Sequence, residues 1–361
     1  MSVGQNRGRL GLAVVVVLTG ALAAPVATAG TAGATAPVSA AGTMRDLGTL
    51  GDGTYSVGRA VNDRGQVAGF GSTADGSDHA FLWSEADGMR DLGTLGGPTS
   101  LGQAVNDQGQ VAGYGNTTNG PLHAFLWSET DGMRDLGTLG GQFSEATGVN
   151  SHGQVTGDST TGGNRTERAF LWSEADGMRD LGTLGGPTSF GQAVNGQGQV
   201  AGYSDTTDGT NHAFLWSASD GMQDLGTLGG SFSLAVAVDE RGQVAGYGDT
   251  ADGSTHAFLW SEADGMRDLG ALGGGTSSGQ GVNEQGEVTG FATLATWDNH
   301  AFLWSASDGM RDLGTLSGGT TSLGQGINGQ GQVAGSSDTA AGSTHAFLWT
   351  PEPPAATKND A

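Results

Sequence analysis

Six histidines open the same short run in this sequence: His79, His123, His212, His256, His300 and His345 each begin His-Ala-Phe-Leu-Trp. Imidazoles repeated at one position are the side chains a metal ring would use. A second recurring set is Asn62, Asn106, Asn150, Asn195, Asp239, Asn283 and Asn328, whose side-chain oxygens could hold a cation or cap turns. A third is Asp46, Asp91, Asp135, Asp180, Asp224, Asp268 and Asp312. Carboxylates also gather in Asp205-Thr206-Thr207-Asp208-Gly209 and Asp249-Thr250-Ala251-Asp252-Gly253. Calcium favours such oxygen-rich loops. Yet the spacing is not the alternating Asp-x-Asp-x-Asp-Gly pattern, and no ligating Glu follows.

Catalytic motifs are sparse. Gly157-Asp158-Ser159, with His152 nearby, has the residue types of a serine nucleophile site. It aligns with Gly202-Tyr203-Ser204 and Gly246-Tyr247-Gly248, an ordinary strand end, and no base with its orienting partner accompanies it. Aromatics are more informative. Tyr55, Phe143, Phe232 and Trp297 interrupt positions that hold Thr, Ser or Gly in other copies. Exposed aromatics with Asn, Asp and Thr neighbours suit stacking on sugars or peptides. Phe190 replaces Leu101 and Leu323 in register, so it reads as core.

These residues sit on a repeat. Trp83, Trp127, Trp172, Trp216, Trp260, Trp304 and Trp349 lie 44 or 45 residues apart, the mark of a repeat architecture. One unit runs from Gly102-Gln103-Ala104-Val105 through the turn Asn106-Asp107-Gln108-Gly109 to Gln110–Tyr114. A polar loop then leads to His123–Trp127, and Ser128–Gly132 turns the chain into Met133-Arg134-Asp135-Leu136. That makes four short strands per unit and no helical periodicity. Ala-Phe-Leu-Trp is apolar at consecutive positions, so both faces of that strand are expected to be buried. The Met-x-Asp-Leu strand and the Phe-Leu-Trp strand each occur seven times. The first Met-x-Asp-Leu strand, Met44–Leu50, has no partners before it, and the last unit lacks a fourth strand. Joining the two closes a ring. The expected fold is all-β, a seven-bladed propeller of four-stranded blades sealed by the N-terminal strand, with a β-solenoid as the competing array.

That fold sorts the candidates. The Gly/Ala-rich strand belongs at the axis, where only small side chains fit. Strands lie about 4.8 Å apart, so the histidines of the third strand sit more than about 10 Å out, too far to share a metal. Each is expected to hydrogen-bond a neighbouring turn instead. The Asn ring lies nearer the axis. A cation is conceivable there, although turn capping accounts for the same residues. The outer-strand aspartates are expected to tie blade edges together. Two connections share one face of the disc: the loop between second and third strands (72–78) and the blade-to-blade loop (96–100). That face carries the four aromatics.

The chain of 361 residues has 69 Gly, 8 Pro and no Cys, which excludes disulfides and thiol chemistry. With 37 Asp plus Glu against 14 Lys plus Arg, the net charge is -23. Such a surface repels nucleic acid and anionic membranes. Residues 1–29 read as a secretory signal peptide, with Arg7 and Arg9 before the apolar run from Leu10 and Ala27-Thr28-Ala29 at the cleavage point. Val38-Ser39-Ala40 offers a second cleavage point. Residues 30–43 read as a small-residue linker, 44–349 as the propeller and 350–361 as a tail.

The repeated His-Ala-Phe-Leu-Trp resembles the signature of the HAF-family extracellular repeat proteins, over Met44 to Trp349. Unit three departs from it with Arg168-Ala169-Phe170. The resemblance implies export and supplies no activity or site residues. Pro351-Glu352-Pro353 is similar to the start of a Pro-Glu-Pro sorting tail, but no apolar helix or basic cluster follows. The expectation is a secreted, monomeric, non-enzymatic binding protein without a membrane span after signal removal. Its ligand, a carbohydrate or a protein surface, would meet Tyr55, Phe143, Phe232 and Trp297. No cofactor is expected; calcium in the acidic loops is the single alternative. The competing classes are a secreted glycan hydrolase or lyase with paired carboxylates in the central funnel, and a purely structural cell-envelope protein.

Overall fold

Turn glycines and asparagines cut each unit into short strands, and the chain folds accordingly. The computed structural model describes residues 38–163 and 166–353. The strands, β1 to β28 in chain order, pair as seven four-stranded antiparallel sheets. Blade 1 is β2 (Ser56–Val61), β3 (Val67–Ser72), β4 (Asp78–Ser84) and β5 (Gly88–Asp91), in that order across the sheet. Blades 2 to 6 repeat the plan over residues 96–135, 140–180, 185–224, 229–268 and 273–312. Blade 7 takes three strands from residues 322–351 and its outer strand from the other end of the propeller, β1 (Gly42–Asp46). Met44 stands opposite Trp349, and Asp46 opposite Phe347. The architecture is the expected seven-bladed propeller.

Packing between blades explains the apolar run. In blade 2, Phe125 and Trp127 face blade 1 and pack with Ala68, Ala80 and Leu92. Ala124 and Leu126 face the other way, toward Val155, Phe170 and Trp172 of blade 3. Successive side chains of one strand therefore serve two interfaces. The phenylalanines at this position, Phe81 to Phe347, are fully buried. Glycine opposite the ring is obligatory: a Cβ on Gly113 would lie 2.0 Å from the Leu101 carbonyl and 2.8 Å from the Phe125 ring. The seam between blades 7 and 1 uses the same parts. Leu47, Leu50, Ala346 and Leu348 pack against Val67, Phe81 and Trp83.

A buried serine latches each blade to the one before. Ser100 Oγ donates to the Gly93 carbonyl (2.6 Å) and accepts from the Ala80 N–H (3.0 Å). Ser56 does the same for blade 7, accepting from Ala346 N–H at 2.8 Å. The outer rim adds a cation–π contact: Arg90 of blade 1 lies 5.2 Å from the Trp127 ring of blade 2.

Two boundaries differ from the sequence reading. The supposed linker reaches into the fold, since Gly42 and Thr43 belong to β1 and Ala40 N–H donates to the Asp312 carbonyl at 2.9 Å. Asp312, an outer-strand edge, had open backbone groups to offer. The blade-to-blade loop at 96–100 is strand: in blades 2 to 6 the inner strand spans ten residues, Gly96–Val105 in blade 2. Gly96 pairs with Thr117, and the true connection is only residues 92–95. The signal-peptide reading and the start of the linker (30–37) lie outside the described residues, as does the tail beyond 353.

Candidate functional site

Every inner strand carries a β-bulge at the same point. Pairing slips between Gly102 and Ala104 in blade 2, leaving Gln103 without a partner, and likewise in the other six blades. A bulge re-aims its extra side chain. Here that side chain is Arg59, Gln103, Thr147, Gln192, Val236, Gln280 or Gln325, and all seven line a central cavity of about 260 Å³. Arg59 is pinned within this ring. Its guanidinium donates to Gln325 Oε1 (2.9 Å) and lies 5.5 Å from the Phe70 ring. A larger cleft of about 480 Å³ opens beside Arg64, Glu85 and Gln330. Its residues belong to turns and strand ends of blades 7 and 1, and its two acids are engaged, Glu85 by Arg45 and Asp63 by the Gly329 N–H (2.7 Å).

One register step before the bulge, a cross-strand pair occupies each blade on the sheet face that carries Ala104. Six of the pairs are Val57/Phe70, Leu101/Tyr114, Phe190/Tyr203, Leu234/Tyr247, Ser278/Phe291 and Leu323/Ser336. They are apolar or aromatic apart from the serines. Phe190 and Tyr203 stack at 4.8 Å, so Phe190 belongs to this half-buried layer rather than to the deep core. Blade 3 breaks the pattern with Glu145 opposite Asp158. Opposed side chains on one face have Cβ atoms about 5 Å apart. Among the described residues no donor reaches either carboxylate. Burial, and secondarily Glu167, pushes the Glu145 carboxyl up to about 6. Burial and then Glu145 hold Asp158 well above the usual carboxylate range. Water is the preferred partner of a carboxylate, and a half-apolar layer denies it.

The sequence reading passed over this pair. It dismissed Asp158 as a strand end because its neighbours in register are Tyr203 and Tyr247. The signal was available: blade 3 alone places two acids where the other blades place aromatic, aliphatic or serine side chains.

The four aromatics fall on one face but do not converge. Tyr55, Phe143 and Phe232 hold one position, immediately before the latch serine, in blades 1, 3 and 5. Tyr55 is half-buried, edge-on to Phe70, and its hydroxyl donates to Asp78. Burial and that carboxylate raise the tyrosine pKa. Phe232 is half-buried, edge-on to Tyr247 at 6.3 Å. Phe143 is 45% exposed and Trp297 is 78% exposed. Trp297 lies in the turn between the second and third strands of blade 6. Its φ of 72° makes it the one described non-glycine residue with positive φ. The equivalent turns of blades 1, 2, 4, 5 and 7 use Gly76, Gly120, Gly209, Gly253 and Gly342, all at positive φ.

The repeated polar residues are structural partners of one another. His123 Nδ1 meets the Asp135 carboxylate at 2.8 Å, and the same pair recurs five times, ending with His345 on Asp46 of β1. The histidine partner is thus the outer-strand aspartate, not a turn, and two motifs of the sequence are one interaction. Residues of the Asn ring cap turns as expected: Asn106 Oδ1 accepts from the Gln108 and Gln110 amides. Asp205 and Asp249 accept from the Thr188 and Thr255 hydroxyls (2.6 and 3.0 Å), while the other two acidic-loop carboxylates are engaged within their own turns. Asp208 accepts from the Thr206 and Thr210 hydroxyls, which lower its pKa to about 2. Asp252 likewise accepts from Thr250 Oγ1 and Ser254 N–H.

No protein-family model matches the sequence, and no curated protein matches it. Solved structures do. The β-propeller domain of the Trilobed protease from Pyrococcus furiosus, described as having an open velcro topology, aligns with a TM-score of 0.57 at 11% identity. That alignment covers 85% of this chain and all of that domain. A puromycin-hydrolyzing peptidase from Mycobacterium tuberculosis gives 0.55 at 10% identity, and Pyrococcus horikoshii acylaminoacyl peptidase gives 0.52 at 11%. These cover 86% and 82% of this chain but only 57% and 51% of the peptidases. At such identity the likeness is one of fold.

Proposed function

We propose that this protein is a non-enzymatic binding module that acts outside the cell and takes a hydroxyl-rich glycan on the face bearing Trp297. One observation carries the reading. A tryptophan stands 78% exposed, in left-handed backbone, where five other blades use glycine. Such a backbone costs about 1 kcal/mol or more for a side chain with a Cβ. An exposed indole also gains nothing from water. Nothing within the blade repays either cost, whereas a sugar ring stacked on the indole does. Phe143 supplies a second exposed ring on the same face. In the blades on either side of Phe143, Thr188 donates to the Asp205 carboxylate (2.6 Å) and Thr99 to the Asn116 amide oxygen (2.5 Å), polar groups of the kind a saccharide pairs with.

A glycan-array screen of the purified protein tests this. Saturable binding to a glycan class, lost in Trp297→Ala and weakened in Phe143→Ala, is expected. Binding unchanged in both variants contradicts it.

The Glu145/Asp158 pair favours a second reading, a glycan hydrolase. Two opposed acids, both held above the usual carboxylate range chiefly by burial, supply the pair of carboxyls that a glycosidase uses. Turnover of the bound glycan, abolished in Glu145→Gln with binding intact, would decide for it.

A further inference from the structure

The Asn ring fails at one place. In six blades the Asn Nδ2 group makes two hydrogen bonds. One goes to the main-chain carbonyl of the equivalent residue in the next blade, at 2.8–3.1 Å. The other goes to the side-chain oxygen four residues on, at 2.8–2.9 Å. Together they form a belt that crosses six of the seven seams. In blade 5 the residue is Asp239, and a carboxylate oxygen stands where the amide N–H₂ would be. Asp239 is only 4% exposed. Its Oδ1 accepts from the Arg241 and Gln243 amides at 2.9 and 2.7 Å. Its Oδ2 is buried without a partner, and so is Gln243 Oε1. The Asn283 carbonyl loses the donor its six counterparts have. Two buried oxygens therefore have no donor, and the Asn283 carbonyl keeps only the Gly286 N–H (2.9 Å).

We propose that Asp239 Oδ2, Gln243 Oε1 and the Asn283 carbonyl bind one monovalent metal cation, sodium or potassium, at the seam between blades 5 and 6. One carboxylate and two neutral oxygens balance a single charge. A divalent ion would be left unbalanced by this single carboxylate, and the described residues hold no group of three or more acidic or histidine ligands. The surrounding charge favours a cation. On the blade 5 turn, Glu240 accepts from the Gly196 N–H of blade 4 (2.8 Å), and Arg241 leans toward Glu284 of blade 6 (4.0 Å). Glu284 and burial both disfavour a bare carboxylate at 239, while Arg241 and the two amides favour it. From blade 6, Glu287 is already held by Asn283. From blade 4, only the amides of Asn195, Gly196 and Gln197 reach this turn. Rotation of the Gln243 amide would give Asp239 one N–H and still leave the Asn283 carbonyl with Gly286 N–H (2.9 Å) as its one donor, against two at its counterparts.

Thermal unfolding at pH 7.5 and fixed ionic strength tests the site, in sodium, potassium or tetramethylammonium chloride. Tetramethylammonium is too large to enter. The wild type is expected to melt about 2–4 °C higher in sodium or potassium than in tetramethylammonium. Asp239→Asn restores both hydrogen bonds, so it should fold, melt at or above the wild type and ignore the ion. Crystals soaked in rubidium should show an anomalous peak beside Asp239. Identical melting of the wild type in all three salts overturns the proposal. So does a melting point that rises on acidification while ignoring the ion, because a proton then fills the gap. None of these readouts depends on the glycan.

Discussion

The two ends of the central channel are built from the same seven strands and treat sequence in opposite ways. At one end the Asn position tolerates a single change in seven blades, and that change breaks the belt. At the other, the position opposite Tyr114 and its equivalents holds Val, Leu, Glu, Phe, Leu, Ser and Leu, and the rim before the latch serine holds Tyr, Thr or Phe. The difference follows from what each side chain does. An Asn that donates to the next blade is part of the ring's mechanical closure, and any other residue leaves buried groups unpaired. A residue that faces an open layer is free to vary, and its variation is where a ligand can be distinguished.

This contrast can be broken in order of expected effect. Deleting residues 38–46 removes β1, so blade 7 keeps three strands and His345 loses Asp46. Loss of one cooperative unfolding transition is expected by calorimetry; retention of it would mean the ring does not depend on closure. Next, Asn106→Ala strips two buried N–H donors and two turn caps. Roughly 1–3 kcal/mol of stability should be lost in urea titration. The paired control, Phe143→Ala at the other end, should cost under about 0.5 kcal/mol. Equal losses would erase the distinction between framework and face.

The blade 3 acids give a pH test. Glu145 titrates near 6 when folded and near 4.3 when unfolded. Its folded form binds the proton more tightly, so its contribution is full below the unfolded value. It is lost as pH rises through the folded one. Asp158 shifts in the same direction. Replacing Glu145 with Leu, the residue of blades 2, 5 and 7, removes this decline. The variant should gain on the wild type by about 2 kcal/mol between pH 4 and 7. Exposed aspartates with lowered values, such as Asp208 and Asp252, act oppositely but are common to both proteins. A constant difference across that range would show that Glu145 is solvated.

Much of the framework was readable because it repeats. Seven tryptophans, seven Met-x-Asp-Leu strands, a first strand without partners and a last unit short of one strand required closure. The histidine partner was not readable, since His123 and Asp135 meet only once the third and outer strands pair. Nor was the bulge. Nothing in Gly-Gln-Ala marks Gln103 as the residue that leaves the ladder and turns to the axis. Glu145 and Asp158 lie 13 residues apart, and strand register alone makes them neighbours. The aromatics were found by comparing blades, a comparison that says which residue differs and not which way it points. Tyr55 and Phe232 turn out to pack on Phe70 and Tyr247, leaving Phe143 and Trp297 as the exposed pair.

The measurement that bears most directly on the binding face is Trp297→Gly, taken through calorimetry and glycan titration on the same sample. Glycine fits the left-handed turn, as in five other blades. The melting temperature should therefore rise by about 1–3 °C while affinity falls at least about tenfold. A variant that is less stable, or that binds as well as the wild type, would mean the indole serves the fold and not a ligand.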